Sequence, residues 1–285
     1  MTVTISGIWW ILLLMSVGSY LLGNINFSVI ISRSKGRDIR SIGSGNPGMM
    51  NMSRNFGLKT GIAILFLDML KGIIPTLTGY LAFRGTTLEG TNFALSDMTK
   101  YMCGFFAVLG HIFPVFMNFK GGKGISTTIG VFVTANPLYG IISALAGLAF
   151  ILITSMGSMG SLIAVTPPAI AAEIHFYATY IYIKGTGYVK PSPQMVFVLL
   201  LSIFFVLGIC VLTWAAHRMN IRRLIAGTEH QTTWSDMIRK YKQKKREERL
   251  AAKTKKVGNG ESPETVRKNG DEKPSGTSGD GEDPE

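Results

Sequence analysis

Long apolar runs separated by short polar links organise the chain up to about residue 227, and charged residues dominate beyond it. An α-helix needs about 20 mostly apolar residues to cross a bilayer. Residues 7–31, 58–83, 100–117, 138–153, 162–183 and 195–216 come near that length. The run ISTTIGVFVTA at 125–135 is shorter and is followed by Asn136-Pro137, so it reads as a short or tilted span. Pro167-Pro168 predict a kink in the penultimate run. The first run lacks a basic n-region and a cleavage site, which makes it a retained span rather than a signal peptide. The pattern predicts an all-α integral membrane protein of about seven transmembrane helices.

Charge gives the expected orientation. Arg33, Lys35, Arg37 and Arg40 follow the first run, and Arg218, Arg222 and Arg223 follow the last. The link after the second run carries Arg84, Glu89, Asp97 and Lys100 and has no positive excess. Lys and Arg favour the cytoplasmic side, so the N-terminus is expected outside and the C-terminus in the cytoplasm. That parity gathers GSGNPGMMN, FKGGKG, TSMGSMGS and HRMN on the cytoplasmic face. One crossing fewer would move the serine segment outside, and His217 with its arginines, against the charge rule.

The net charge of +12 and the 47% hydrophobic content are averages over two unlike parts. Residues 1–230 form the expected membrane-embedded domain, and residues 231–285 a charged cytoplasmic tail, first basic and then acidic. RKYKQKKREERLAAKTKK is rich in helix formers and suits anionic headgroups, but has little apolar face. The remainder is polar, with Gly, Pro and Ser, and is expected to be largely disordered. Cys103 and Cys210 lie in apolar runs with neither metal spacing nor a disulfide framework, so they read as small buried hydrophobes.

Three polar stretches carry the candidate chemistry. In GSGNPGMMNMSR, glycines free the backbone, Ser44, Asn46 and Asn51 supply polar groups, and Arg54 supplies a forked cation. Amides, a hydroxyl and an arginine together suit a phosphate. In FKGGKG, Gly121, Gly122 and Gly124 allow close approach around Lys123. This is not a nucleotide P-loop: Gly124 stands where Ser or Thr belongs, and Met117 where the first glycine belongs. In HRMN, His217 and Asn220 share a helical face if the helix continues, and histidine suits proton transfer near neutral pH.

His111 reads equally as a functional group or as a helix-packing hydrogen-bond partner. Asp68 and Lys71, three residues apart inside an apolar run, read as a structural ion pair. No serine elbow and no Cys-His arrangement stands out. The whole suits binding of two anionic ligands and group transfer between them by positioning and charge.

GSGNPGMMNMSR, GHIFPVFMNFKGGKG and HRMNIRRLIAGTE, in that order between apolar spans, resemble the bacterial acyl-phosphate:glycerol-3-phosphate acyltransferase family over about residues 7–230. The resemblance implies a seven-span enzyme of the bacterial inner membrane with its active site facing the cytoplasm. It implies acyl transfer from acyl phosphate to the sn-1 hydroxyl of glycerol 3-phosphate, giving lysophosphatidic acid and phosphate, the first step of phospholipid synthesis. It implies that Ser44, Asn46, Asn51 and Arg54 hold substrate phosphate, and that Gly121, Gly122, Lys123 and Gly124 form a phosphate loop. By the same resemblance His217 and Asn220 contact substrate near the reacting hydroxyl, Glu229 closes the third motif, and Ser158 is the hydroxyl ligand of SMGSMGS. Ser44, Arg54, Lys123, His217 and Asn220 are thus the implied catalytic set.

Membrane lipids are implied partners; no cofactor, metal or nucleic acid is. Departures from the family pattern are Met49-Met50, Asn24 and Asn26 in the first run, Ser155 in place of an arginine, and the long tail. The rival reading is a transporter of phosphate-bearing solutes, which would favour internal repeats or broken helices at mid-membrane. A third is a membrane scaffold acting through its tail.

Overall fold

A computed structural model describes residues 1–183, 187–188, 192–228, 243, 246–248 and 250–251. The chain divides into two compact units, Met1–Trp234 and Ser235–Glu285. The described residues of the second unit are helical and fall in the basic stretch rich in helix formers. The expected disorder of the acidic end, and Glu229, lie outside the described residues.

Among its described residues, the regular structure of the first unit is helical apart from two ribbons of two-residue strands. Its helices are α1 (Ile5–Asn24), α2 (Phe27–Ser34), α3 (Met49–Phe56), α4 (Leu58–Ala82), α5 (Leu95–Ile112), α6 (Ile125–Ala135), α7 (Pro137–Thr154), α8 (Gly157–Phe176), α9 (Pro193–Ala216) and α10 (Arg218–Ile225). Strands β1 (Thr2–Val3) and β2 (Thr87–Leu88) pair in parallel, and β3 (Tyr182–Ile183) and β4 (Gly187–Tyr188) antiparallel. Among the described residues, six helical stretches are long and apolar enough to cross a bilayer: Ile5–Ser34, Leu58–Ala82, Leu95–Met117, Pro137–Thr154, Gly157–Ile181 and Pro193–Ala216. Helix α6, the segment expected as a short or tilted span, has 11 residues. At about 1.5 Å per residue it covers roughly half of a hydrocarbon core about 30 Å thick.

Helix α5 is the centre of the bundle. Of its most apolar window 61% is buried, against 11% for Ile5–Ser34 and 17% for α7. It packs on α1, α4 and α9, while α4 packs on α6 and α7 on α8. Where α4 crosses α6, Gly72 lies against the Thr127 carbonyl and Gly130 against that of Met69, so a side chain at either position would drive the helices apart. Trp9, Trp10, Leu13 and Leu14 of α1 and Leu145, Leu148 and Leu152 of α7 are exposed, which is the arrangement of lipid-facing helices.

Two spans begin or run differently from the sequence expectation. The first is broken at Ile25-Asn26. There the Asn26 side chain accepts from the Val29 amide at 3.1 Å and starts α2. The third begins at Leu95 rather than residue 100, because Asp97 and Lys100 pair at 2.7 Å and Tyr180 donates to Asp97 at 2.6 Å. Charges that suggested a loop neutralise one another inside the helix. Asp68 and Lys71 also pair, at 2.9 Å, deep in α4. Pro167 and Pro168 lie within α8, which passes into a π-helical turn, Tyr177–Ile181.

Candidate active site

The motif around Lys123 begins at the end of α5. There the chain turns through Pro114 and a 3-10 turn, Val115–Met117. Asn118 and Phe119 then adopt left-handed backbone, with φ of 52° and 58°. The turn is tied down by Phe119 N–H donating to the Pro114 carbonyl at 3.0 Å. The end of α1 braces it as well. Asn24 accepts from the Val115 amide at 2.5 Å, and Tyr20 donates to the Phe113 carbonyl at 2.8 Å. Asn24, a departure from the family pattern, therefore has a local structural task.

The glycines then fold back on α5. Gly121 N–H donates to the Ile112 carbonyl at 3.1 Å and Gly122 N–H to that of His111 at 3.2 Å. A methyl group on Gly122 would press on the His111 ring, whose Cε1 and Cδ2 would stand 3.2 and 3.3 Å away. Gly124 has φ of +79°, which favours glycine, and opens α6. The first-turn amides of α6 have no intrahelical acceptor, and the helix dipole adds positive potential there. Lys123 thus stands at a helix N-terminus, an arrangement suited to an anion.

Lys123 donates to Asn220 Oδ1 at 2.6 Å, and Asn220 Nδ2 donates to Ser158 Oγ at 2.6 Å. Residues from three separate stretches, 97 and 62 positions apart along these two bonds, form one chain of contacts. His217, 2% exposed, sits at the junction of α9 and α10. Its Nδ1 lies 2.9 Å from the Thr213 carbonyl. A carbonyl only accepts, so Nδ1 carries the proton and Nε2 of the neutral ring is the basic nitrogen. Thr213 is a second contributor that the motifs did not reveal; its position four residues before His217 was the available signal.

The first motif is a braced loop. Asn51 is buried; its Nδ2 donates to the Ile42 carbonyl at 3.0 Å and to that of Ile39 at 3.3 Å. Its Oδ1 accepts from the Ser44 amide at 3.2 Å and from Asn55 at 3.0 Å. Those four bonds turn the Asn51 amide onto the loop, and one of them holds the Ser44 backbone. Ser44 and Arg54 are exposed and Asn46 is half-buried. Asp38 pairs with Arg40 at 2.7 Å and with Arg33 at 3.1 Å. The Arg40 hydrogen bond holds the Asp38 carboxyl well below the usual carboxylate range, so it stays charged at any working pH.

A cleft of about 480 Å³ joins the first and second motifs; its lining includes Asp38, Arg40, Ser41, Gly45, Lys120 and Gly121. The cations in its lining are Arg40, which is paired with Asp38, and Lys120 of FKGGKG; neither was among the candidate site residues. Asn51→Ala is expected to leave α3 and α4 intact but loosen Ser44. Removing a buried amide costs about 1–3 kcal/mol, and part of that reads out as a raised KM for the anionic substrate. An unchanged KM in a folded variant would show that the brace is irrelevant to binding.

The pattern of the family described as glycerol-3-phosphate acyltransferase matches residues 13–227. The chain belongs to the glycerol-3-phosphate acyltransferase family. A glycerol-3-phosphate acyltransferase of Aquifex aeolicus is 34% identical over 219 residues, covering 77% of this chain and 98% of the relative. One from Agrobacterium fabrum is 38% identical over 220 residues, 77% and 91% of the two chains. The crystal structure of PlsY (YgiH), an integral membrane glycerol 3-phosphate acyltransferase in its glycerol 3-phosphate form, superposes with a TM-score of 0.61. It is 33% identical and covers 80% of this chain and 98% of that one. Its lysophosphatidic acid form gives 0.60 at the same identity. Acyl transfer to glycerol 3-phosphate is the activity that family membership carries, and a multi-pass membrane protein is the form it takes.

Proposed function

We propose that this chain takes the acyl group from an acyl phosphate and places it on the sn-1 hydroxyl of glycerol 3-phosphate, at the cytoplasmic face of a bacterial inner membrane. The observation that carries this reading is the Lys123–Asn220–Ser158 chain of contacts. It joins three sequence-distant polar stretches at one end of an otherwise apolar bundle. A cation, an amide and a hydroxyl there, with His217 near Asn220 in sequence and a cleft beside Lys120, suit two phosphate-bearing ligands.

In the step itself the glycerol hydroxyl oxygen bonds to the acyl carbonyl carbon. The bond from that carbon to the phosphate oxygen breaks, and inorganic phosphate leaves. The hydroxyl proton passes to a substrate phosphate, with His217 orienting the hydroxyl. Lys123 and Arg54 offset the phosphate charges, Ser44 and Ser158 supply hydroxyl contacts, and Gly121, Gly122 and Gly124 let the loop fold onto α5 and carry Lys123 to the phosphate. Acyl phosphate is an activated mixed anhydride, so no strong protein base is required.

The same contacts support seven crossings. Lys123 follows α5, Ser158 opens α8 and Asn220 follows α9, yet the three touch. The intervening α6 and α7 must therefore leave that end of the bundle and return to it. Helix α7 is long enough to span, so α6 with its flanking loops makes the other leg. Meanwhile β1 at the N-terminus pairs with β2, in the link between α4 and α5. The positive-inside rule then puts the motif end in the cytoplasm and the N-terminus outside.

Purified protein in bilayers, given acyl phosphate and glycerol 3-phosphate, is expected to release phosphate and form 1-acylglycerol 3-phosphate. Solute counterflow without acyl transfer would favour the transporter reading instead. Truncation after Gln231 is expected to retain turnover, since the matched family pattern ends at residue 227. Loss of turnover in a folded truncated enzyme would make the tail part of the machine.

A further inference from the structure

Helix α4 carries a buried ion pair that the acyl-transfer scheme does not use. Lys71 Nζ meets Asp68 Oδ1 at 2.9 Å, the Ile25 carbonyl at 2.8 Å and His111 Nδ1 at 2.9 Å. Asp68, Lys71 and His111 are 3%, 2% and 5% exposed. An ammonium has three protons and no lone pair, so these three acceptors saturate it. Two consequences follow. Lys71 satisfies the carbonyl left open where α1 breaks into α2. It also makes His111 Nδ1 the acceptor, which puts the ring proton on Nε2 and fixes the ring's orientation.

The other edge of that ring faces Gly122. The ideal Cβ position at residue 122 would fall against His111 Nε2, while the Gly122 amide is hydrogen-bonded to the His111 carbonyl at 3.2 Å. One residue further on, Lys123 reaches Asn220. A continuous line of contacts thus runs from the helix break through Lys71 and His111 to the loop. A plain structural ion pair needs neither the third partner nor a glycine fitted to it.

We propose that Asp68, Lys71 and His111 act as positioning residues for the Gly121–Gly124 loop: the ion pair holds the His111 ring, and the ring sets where Gly122, and with it Lys123, sits. The proposal rests on the reading of this loop as a phosphate site. It makes Gly122 a glycine for the sake of the protein wall rather than for the ligand.

The test is a mutant cycle on the full-length enzyme in bilayers, reading KM for glycerol 3-phosphate and kcat, with folding checked by thermal unfolding. Gly122→Ala is expected to raise KM about tenfold, because the loop must shift off the ring. In a His111→Ala background the same substitution is expected to cost at least about fivefold less, since residues in contact are non-additive. A penalty of equal size with and without the ring overturns the proposal and assigns Gly122 to the ligand.

If His111→Ala does not fold, His111→Asn replaces it: its carbonyl oxygen still accepts from Lys71 while the shorter side chain leaves room at residue 122. Replacing the ion pair as a unit, Asp68→Leu with Lys71→Met, avoids a stranded buried charge. It is expected to shrink the Gly122→Ala penalty as well; an unchanged penalty there overturns the part played by the pair. Lys123→Ala runs alongside. Unaltered kinetics for it would overturn the phosphate-site reading itself, whereas a crippled Lys123→Ala with an additive cycle overturns only the positioning.

Discussion

Lys123→Ala is expected to lower kcat/KM for glycerol 3-phosphate by about tenfold to a hundredfold, with insertion and folding intact. Hydrogen bonds to charged groups contribute about 1.5–3 kcal/mol, and each 1.4 kcal/mol is a factor of about ten. The half-buried lysine is attached to a loop fastened to α5 by the Gly121 and Gly122 amides. Its loss removes charge without removing those fastenings. It also removes the Lys123 contact to Asn220, which bridges to Ser158, so kcat falls with binding. Arg54→Ala is expected to act in the same direction, from an exposed helix position where its removal disturbs no packing. Steady-state kinetics at limiting and saturating glycerol 3-phosphate decide the matter: near-wild-type values for Lys123→Ala would sink the assignment. Cys103→Ala and Cys210→Ala serve as controls and should leave turnover largely unaltered.

The second large effect is at His217. His217→Ala is expected to be severe, because the ring is buried, bonded to the Thr213 carbonyl, and sits at the α9–α10 junction that aims Asn220. If it orients the hydroxyl rather than removing the proton, His217→Gln and His217→Asn keep measurable activity, since an amide can still hydrogen-bond. A general base is worth about 10²–10⁴-fold, and an amide cannot take that role at neutral pH. The three variants are compared across pH. Equal, severe losses in all three, with disappearance of a histidine-type limb in the wild-type profile, would establish His217 as the base. That result would leave the phosphate contacts of Ser44, Arg54 and Lys123 unaffected.

Much of the site was legible because its residues are clustered within short polar stretches between apolar runs. Lys123 is conspicuous between glycines, and His217 and Asn220 at the end of a span. What those stretches do to one another was not legible. By composition Asn51 reads as a phosphate ligand, since an amide beside a serine and an arginine suits an anion. Only the folded loop shows its four hydrogen bonds turned inward. The break in the first span was hidden because Asn24 and Asn26 are only two polar residues in a long apolar run, and their effect depends on Val115 and Val29 as partners. Asp97 and Lys100 moved the expected start of the third span for the opposite reason: their charges were visible, their pairing was not.

The sequence by itself determined the solvent of this chain, its number of apolar runs, the links in which its cations gather and the family pattern in its three motifs. These are properties of residue order, since hydrocarbon demands long apolar stretches with internally satisfied backbones and charge bias acts on whole links. The tertiary structure decided which polar groups meet. Lys123 touching Asn220, Asn220 touching Ser158 and His111 receiving Lys71 are contacts across 97, 62 and 40 residues. Their physical basis is that a buried polar group must find a partner wherever packing brings one. Which partner that is depends on how the helices cross, as at Gly72 and Gly130, and no local pattern encodes it.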